Sequence, residues 1–189
     1  MKTILIGDPC AGKSTIIEQL EKEKYCVAIE DGIKKIPPLI EAEKLNSNFW
    51  FMDYYFKRDF PLKNKKAVHE RYLHFQFPFT NAQAKFGKIT PKEHIYITER
   101  LQRLADQLPL EKESIVIHMI CSNEQIQARL TKRNLHKKQD RYWDILREET
   151  ENFFKPRTKY YKIDTTPLSP QEVYAEVKKI FAENSVTPP

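Results

Sequence analysis

Cysteine is scarce in this sequence, and long apolar runs are missing. The 189 residues include three cysteines, Cys10, Cys26 and Cys121, an odd number without the spacing of metal ligands. Free thiols are therefore expected rather than a disulfide framework or a zinc site. No apolar run approaches the roughly 18 residues of a membrane span, and no secretory segment precedes the first apolar stretch. These absences favour a cytoplasmic protein without a membrane partner.

Internal repeats, linkers and low-complexity tracts are also missing. A chain of 189 residues suits one domain, residues 1–189, with a core large enough to be stable. The formal net charge of +6 suits either nucleic acid or a site for polyphosphates. Since no helix-turn-helix pattern and no aromatic RNA-binding signature is present, nucleic acid is not the expected partner. The tail, about 184–189, is expected to be flexible.

One motif carries a specific chemistry. Residues 7–14 read Gly-Asp-Pro-Cys-Ala-Gly-Lys-Ser, which matches G-x-x-x-x-G-K-[ST], and they follow the apolar run 3–6. A strand that ends at Gly7 and a helix that opens near Lys13 form a phosphate-binding loop (P-loop), in which backbone N–H groups surround an anion. Lys13 would reach the β- and γ-phosphates, and Ser14 would bind Mg²⁺. A nucleoside triphosphate with Mg²⁺ therefore fits this loop, with ATP as the expected cofactor and GTP as the open alternative. The expected nucleotide contacts in this loop are Gly7, Asp8, Pro9, Cys10, Ala11, Gly12, Lys13, Ser14 and Thr15.

Strand and helix patterns alternate along the rest of the chain. Strands are predicted at 25–29, 65–69, 114–121 and 159–163, and helices at about 13–23, 40–60, 72–86, 91–108, 123–133, 142–154 and from Ser169 onward. The stretch 114–121 is almost continuously apolar, as a buried central strand of a parallel sheet is. Ser169, Pro170 and Glu172 provide the signals of a helix start.

The order and spacing of these features resemble the deoxynucleoside kinase family, relatives of the thymidylate kinases within the P-loop kinases. The resemblance covers nearly the whole chain. It is carried by the P-loop, Glu30 after the second strand, the aromatic helix at 49–56, Glu70-Arg71 after the third strand, the arginines within 129–141 and Asp164-Thr165-Thr166 after the last strand. It implies the α/β fold of a P-loop NTPase, with three α/β/α layers, a central parallel sheet of about five strands and an arginine-rich lid at about 129–141.

The resemblance also implies roles in phosphoryl transfer, which needs a base, a divalent ion and cations that offset charge in the transition state. Glu30 matches the catalytic base, although Asp31 replaces the proline that usually follows and is a competing candidate. Glu70 would help to hold Mg²⁺ with Ser14. Arg71 would bind the 5′ oxygen or the incoming phosphoryl group. A plain structural Glu-Arg ion pair is the alternative for these two residues.

The lid and the last strand would complete the nucleotide site. Arg129 and Arg133 are spaced i, i+4 on a predicted helix, so both guanidinium groups face the same way and can clamp one polyphosphate. Together with Lys13, Glu30 and Arg71 they form the expected catalytic set, and Arg141 is a further candidate. A charged surface helix is the alternative. Asp140 is expected to bind the sugar 3′-hydroxyl, and Asp164 and Thr165 to lie near the adenine of ATP.

The base pocket departs from the family pattern. A glutamine in the aromatic helix and an aspartate six residues after the Glu of the Glu-Arg pair usually read the base edge, whereas counting along this chain places Asp53 and Gln76 there. Phe51, Tyr54 and Phe79 are expected to contact the base faces. A carboxylate beside an amide favours a deoxynucleoside with an exocyclic amine over thymidine. The alternative is a shifted alignment that puts both residues elsewhere.

We therefore expect ATP-dependent phosphorylation of the 5′-hydroxyl of a deoxynucleoside or related nucleoside. A first rival is a nucleoside monophosphate kinase of the thymidylate type, with Arg58, Lys63, Lys65 and Lys66 as candidates for binding the acceptor phosphate. A second rival is a regulator that binds nucleotide without turnover. The expected partners are a small nucleoside and, as in the resembled family, a second copy packed through the aromatic helices.

Overall fold

The computed structural model describes residues 2–132 and 140–188, without the side chains of Ile33, Glu41, Ala42 and Asp140. Within these ranges five strands form one parallel sheet in the order β2-β3-β1-β4-β5. The strands are β1 Thr3–Gly7, β2 Val27–Ala28, β3 Val68–Glu70, β4 Ile115–Ile120 and β5 Lys159–Asp164. The helices are α1 Lys13–Lys22, α2 Gly32–Lys35, α3 Pro38–Ala42, α4 Lys44–Asp59, α5 Gln76–Lys85, α6 Pro91–Ala105, α7 Asn123–Lys132, α8 Asp140–Phe154 and α9 Pro170–Glu183, with 3₁₀ turns at Phe60–Leu62 and Leu73–Phe75.

The sheet is covered on both faces because its central strands are apolar on both. In β1, Leu5 faces one core cluster, which includes side chains of α1, α7 and α9. Its neighbours Ile4 and Ile6 face the other cluster, which includes side chains of α4, α5, α6 and α8. In β4, Ile117 and Val116 divide in the same way. The period of two along a strand thus produces the expected three-layer α/β/α fold.

Several boundaries differ from the sequence prediction. The helix expected at 40–60 is interrupted, because Glu43 has extended backbone angles between α3 and α4. The helix expected at 72–86 begins later, since Tyr72 is extended and the N–H of Leu73 is bound by the buried carboxylate of Asp59 at 3.1 Å. The start of α9 agrees with prediction, where Ser169 forms a capping box.

The three cysteines are free thiols, as expected. At the C-terminal end, Asn184 donates a hydrogen bond to the Tyr161 hydroxyl at 2.8 Å, and Val186 packs against the core. The tail that was expected to be flexible therefore starts with residues that contact the rest of the fold. Neither described range contains a helix that is long and apolar enough to cross a membrane.

Candidate active site

The loop between β1 and α1 has the backbone shape that its sequence predicts. Gly7, Cys10 and Gly12 have positive φ angles of 134°, 63° and 91°. A Cβ atom on Gly7 would lie 1.9 Å from the carbonyl oxygen of Met119, so only glycine fits there. No side chain caps the start of α1. The N–H groups of its first turn are therefore placed to bind an anion.

Lys13 lies inside this loop and is 7% exposed. Its ammonium group donates hydrogen bonds to the carbonyl oxygens of Gly7 at 3.0 Å and Asp8 at 2.6 Å. Burial, with the nearby Arg71 cation as the next cause, lowers the pKa of Lys13 to about 8. Lys13 is thus a cation whose charge is only partly balanced, and a bound phosphate would stabilise its protonated form.

A chain of hydrogen bonds joins the P-loop to the ends of β2 and β3. The Ser14 hydroxyl donates to one carboxylate oxygen of Glu70 at 3.0 Å, and the other oxygen accepts the N–H of Glu30 at 3.2 Å. The Glu30 carboxylate in turn accepts Arg71 Nη1 at 3.0 Å and the N–H of Gly32 at 2.9 Å. Four predicted site residues therefore meet at one edge of the sheet, where parallel strands place their carboxyl ends.

Arg71 adopts an uncommon backbone conformation at this edge, with φ at 56°. Its N–H donates to the carbonyl oxygen of Leu5 at 2.8 Å, which fixes the turn after β3 to β1. The side chain is 20% exposed, and its Nε atom meets no hydrogen-bond acceptor among the described residues. The guanidinium group therefore binds Glu30 while its Nε atom is buried.

The competing base candidate has other partners. The Asp31 carboxylate forms an ion pair with Lys35 at 2.6 Å and accepts a hydrogen bond from the Tyr54 hydroxyl. These two hydrogen bonds, that from Lys35 first, lower the pKa of Asp31. Glu30, in contrast, points to the P-loop edge through Arg71. The two carboxylates therefore have different partners, and the choice between Glu30 and Asp31 as base stays a prediction.

Arg58 belongs to the scaffold of the site. Its side chain is 13% exposed, and its guanidinium carbon lies 4.9 Å from the centre of the Tyr55 ring. It donates to the backbone carbonyl oxygens of Glu70 at 3.0 Å and Arg71 at 2.6 Å, and to the Asp59 carboxylate at 2.8 Å. Its donors therefore hold the end of β3, and the role of Arg58 as a candidate for binding an acceptor phosphate stays a prediction.

The lid is described only in part. Arg129 on α7 donates to the carbonyl oxygen of Cys10 at 2.7 Å and thus touches the P-loop. Arg133 and the side chain of Asp140 lie outside the described part of the chain, and Arg141 is exposed at the start of α8. The roles of Arg133, Arg141 and Asp140 stay predictions.

The segment after β5 is built mainly by internal hydrogen bonds. Thr165 is 2% exposed, and its hydroxyl donates to the carbonyl oxygen of Ile120 at 2.9 Å. The exposed carboxylate of Asp164 accepts the N–H of Thr166 at 2.9 Å. The Thr165 side chain therefore supports the end of β4, and any contact of Asp164 and Thr165 with adenine stays a prediction.

Asp53 does not lie with the other expected base contacts. Its carboxylate is 43% exposed and pairs with Arg100 of α6 at 2.8 Å. The preceding residue, Met52, is fully buried on the helix face that also carries Asn48 and Tyr55. A shift of one residue rotates a helical side chain by about 100°, so the interior face of α4 presents a thioether where an amide or carboxylate was expected. This pairing favours the shifted alignment at this position, and the assignment of Asp53 to the base edge stays a prediction.

Gln76 is placed as a buried amide at the start of α5. It is 4% exposed, and its Oε1 atom meets no donor among the described residues. Phe51 and Tyr54 lie beside Gly32, where an added Cβ would come within 3.1 Å of each ring. Phe79 is partly buried in the same core cluster as Met52. The contacts of these side chains with a nucleobase stay predictions.

Two functional features have no clear signal in the sequence. One is the role of Arg58, whose partners are backbone carbonyl groups distant along the chain. The other is the side chain of Asp8, which is bound by the N–H of Cys121 at 2.9 Å and by Arg147 at 2.8 Å. The sequence indicates only that Asp8 is an acidic residue inside a phosphate-binding loop, where a buried carboxylate needs a cation as partner.

Comparison with known proteins gives structural rather than sequence matches. No family model matches the chain, and no curated protein is significantly similar to it in sequence. A deoxyadenosine kinase from M. mycoides, solved with the products dCMP and a flexible dCDP, gives a TM-score of 0.78 at 18% identity over 97% of this chain and 100% of that one. The M. mycoides enzyme with bound dATP gives 0.74 at 19% identity over 96% and 100%. A thymidylate kinase from Candida albicans gives 0.66 at 13% identity over 98% and 92%.

These likenesses confirm the fold class that the sequence predicted. The chain has the α/β fold of P-loop kinases, and its resemblance to deoxynucleoside kinases and thymidylate kinases is confirmed at the level of the fold. Within this fold, the candidate site consists of the P-loop and the sheet edge with Glu30, Glu70 and Arg71, which hydrogen bonds join to each other.

Proposed function

We propose that this protein is a nucleoside kinase that transfers the γ-phosphoryl group of ATP to the 5′-hydroxyl of a deoxynucleoside or related nucleoside. The observation that carries the proposal is the hydrogen-bonded chain from Ser14 through Glu70 and Glu30 to Arg71. It places a carboxylate and a guanidinium next to an anion-binding loop. The similarity in fold to a deoxyadenosine kinase supports the nucleoside as acceptor.

The residues at this edge can serve the two needs of phosphoryl transfer. Glu30 accepts the proton of the attacking hydroxyl, and its hydrogen bonds from Arg71 and the N–H of Gly32 fix the carboxylate in place. Lys13 and Arg129, both in contact with P-loop carbonyl oxygens, supply positive charge around the phosphates. Arg71 adds a third cation on the acceptor side.

Magnesium fits the oxygen donors at the P-loop. The described residues contain no group of three His, Cys, Asp or Glu side chains that could hold a metal by themselves. In kinases Mg²⁺ needs fewer protein ligands, because substrate phosphates and waters complete its octahedral coordination. The Ser14 hydroxyl and the Glu70 carboxylate, 3.0 Å apart, would hold it. The bound ion would neutralise charge on the β- and γ-phosphates.

We also propose that the accepted base carries an exocyclic amine. The buried Oε1 atom of Gln76 is an acceptor without a donor among the described residues, and a base amine would satisfy it. The M. mycoides deoxyadenosine kinase has been solved with dCMP and with dATP, and both of these bases carry such an amine. Asp53 has no part in this proposal, because it pairs with Arg100 on the outer side of α4.

The thymidylate-type rival has less support. Of the four cations considered for an acceptor phosphate, Arg58 is occupied with backbone carbonyl groups, and Lys63 lies 4.2 Å from the centre of the Phe60 ring. Lys65 and Lys66 are exposed.

The experiment that tests the proposal incubates the full chain with labelled ATP, Mg²⁺ and panels of nucleosides and nucleoside monophosphates. The expected product is a deoxynucleoside 5′-monophosphate, formed fastest from amine-bearing bases. Diphosphates formed from monophosphate acceptors would support the thymidylate-type rival. ATP binding without acceptor-dependent turnover would support the regulator. Cytoplasmic location and the homodimer stay predictions, and light scattering in solution measures the second.

A further inference from the structure

One guanidinium group joins the P-loop to the two helices that flank residues 133–139. Arg147 on α8 donates from Nε to the Asp8 carboxylate at 2.8 Å and from Nη1 to Asp144 at 2.8 Å. Its Nη2 atom donates to the carbonyl oxygen of Cys121 at 2.6 Å and to the side chain of Asn123, the first residue of α7, at 3.0 Å. A single side chain thus contacts the P-loop, the end of β4, and both helices.

The Asp8 carboxylate depends on this contact. Asp8 is 1% exposed, and burial raises the pKa of its carboxyl group despite the N–H of Cys121 and the Arg147 cation. A buried carboxylate without a cation is strongly unfavourable. The N–H of Cys121 and the Arg147 cation therefore stabilise the ionised Asp8 carboxylate together, and both orient it.

Asp8 also connects Arg147 to the reactive part of the loop. The backbone carbonyl oxygen of Asp8 accepts Lys13 Nζ at 2.6 Å. Two residues further along the loop, the carbonyl oxygen of Cys10 accepts Arg129 of α7 at 2.7 Å. The position of the first half of the P-loop thus sets where Lys13 and Arg129 stand relative to each other.

We propose that Arg147 is a positioning residue, which fixes Asp8 and joins α8 to the start of α7 so that Lys13 and Arg129 are directed at the same phosphates. The proposal rests on the proposed function only in taking those phosphates to be those of ATP or ADP. It assigns Arg147 no contact with the substrate. Its effect should appear in nucleotide binding and in kcat/KM for ATP, and not in the KM for the nucleoside.

Three variants separate positioning from simple structural support. Arg147→Lys keeps the positive charge, but one ammonium cannot reproduce the planar set of bonds to Asp8, Cys121 and Asn123. The double variant Asp8→Asn/Arg147→Gln replaces a buried ion pair with a neutral amide pair of similar size, a change that is often tolerated in stability. Glu148→Gln is the matched control, because Glu148 is the next residue on α8 and is exposed.

The measurements are the melting temperature, the dissociation constant of MgADP by calorimetry, and steady-state kinetics. We expect the lysine variant and the double variant to melt within about 5 °C of the wild type. We expect both to bind MgADP at least about 10-fold more weakly and to lose kcat/KM for ATP by a similar factor, since small misplacements of preorganised groups have effects of this size. Glu148→Gln should match the wild type.

Wild-type MgADP affinity in either folded variant would overturn the proposal and leave Arg147 as structural support. Should the double variant not fold, Arg147→Lys decides by the same criterion, and loss of folding in both would show that the ion pair acts on stability. The MgADP measurement needs no acceptor. A wild type that binds MgADP tightly but phosphorylates no nucleoside would therefore refute the proposed function and leave the role of Arg147 open to the same test.

Discussion

Replacement of Arg58 tests how the reactive edge of the sheet is held. In Arg58→Met the apolar stem of the side chain remains, but the hydrogen bonds to the carbonyl oxygens of Glu70 at 3.0 Å and Arg71 at 2.6 Å are lost. The Asp59 carboxylate loses Arg58 and keeps the N–H of Leu73 at 3.1 Å and Nδ1 of His69 at 3.0 Å. Lys57→Met is the matched control, because Lys57 is the preceding residue and is exposed.

The expected magnitude follows from these contacts. Hydrogen bonds to a charged donor contribute about 1.5–3 kcal/mol each, and three of them, to Glu70, Arg71 and the buried Asp59 carboxylate, are removed from a side chain that is 13% exposed. Relaxation and water recover part of this, so we expect a loss of about 3 kcal/mol in the free energy of unfolding. For a chain of this size that corresponds to a fall in Tm of roughly 6–12 °C. Lys57→Met should stay within about 0.5 kcal/mol of the wild type.

Activity should fall for a second reason. Without Arg58, the carbonyl oxygen of Arg71 loses a hydrogen bond that holds the turn at Arg71, where φ is 56°. The hydrogen bond from Arg71 to Glu30 then becomes less well fixed. We expect kcat to fall about 10- to 100-fold at a temperature well below Tm, with a smaller change in the KM for ATP. Circular dichroism and steady-state kinetics measure the two effects. Unchanged stability together with a loss of monophosphate acceptors alone would refute this account and return Arg58 to a phosphate-binding role.

Three further predictions concern other buried groups. The pKa of Lys13 is lowered to about 8 and a bound phosphate raises it, so MgADP binding near pH 8 to 9 should take up protons. Calorimetry in buffers of different ionisation enthalpy measures this uptake, and Lys13→Met should abolish it. The absence of proton uptake in the wild type would contradict the lowered pKa. Burial lowers the pKa of His74 to about 4 and that of His118 to about 3, so the unfolded chain binds more protons below pH 6.5. The contribution of the two histidines to the free energy of unfolding should be constant above about pH 6.5 and decrease on acidification by up to about 1.4 kcal/mol per pH unit for each histidine. A flat profile between pH 6.5 and 5 would contradict their burial as neutral groups. Gln76→Leu should lower kcat/KM for an amine-bearing nucleoside by about 10-fold or more, whereas Asp53→Asn should leave it unchanged. A larger loss of kcat/KM in Asp53→Asn than in Gln76→Leu would place Asp53 in the base pocket.

The parts of the fold that the sequence predicted are those with strong local constraints. The P-loop requires glycine at Gly7 because a Cβ would overlap the carbonyl group of Met119, so the motif and the shape are inseparable. The strand β4 is apolar on both faces because both faces are covered. The carboxyl ends of β2 and β3 carry Glu30, Glu70 and Arg71, which are joined by hydrogen bonds. Because parallel strands end at a common edge, the sequence could predict that these residues lie together.

The position of Asp53 shows where sequence patterns stop being informative. From Phe49 to Phe56 nearly every residue of α4 is aromatic or large, so the pattern does not identify which face is buried. The structure chooses the face with Asn48, Met52 and Tyr55 and leaves Asp53 to pair with Arg100. The interior partners that decide this choice come from elements far along the chain, and one residue of uncertainty is enough to exchange an interior position for a surface position.

The central claim, that Glu30 serves as base in a nucleoside kinase, is tested most directly by comparing Glu30→Gln with Asp31→Asn. Both variants keep the shape of the side chain and remove its ability to accept a proton, and Glu30 and Asp31 are adjacent in sequence. With the best nucleoside acceptor, we expect kcat to fall about 10²- to 10⁴-fold in Glu30→Gln with little change in nucleoside binding, and to change much less in Asp31→Asn. Near-normal turnover in Glu30→Gln, or a larger loss in Asp31→Asn, would contradict the account.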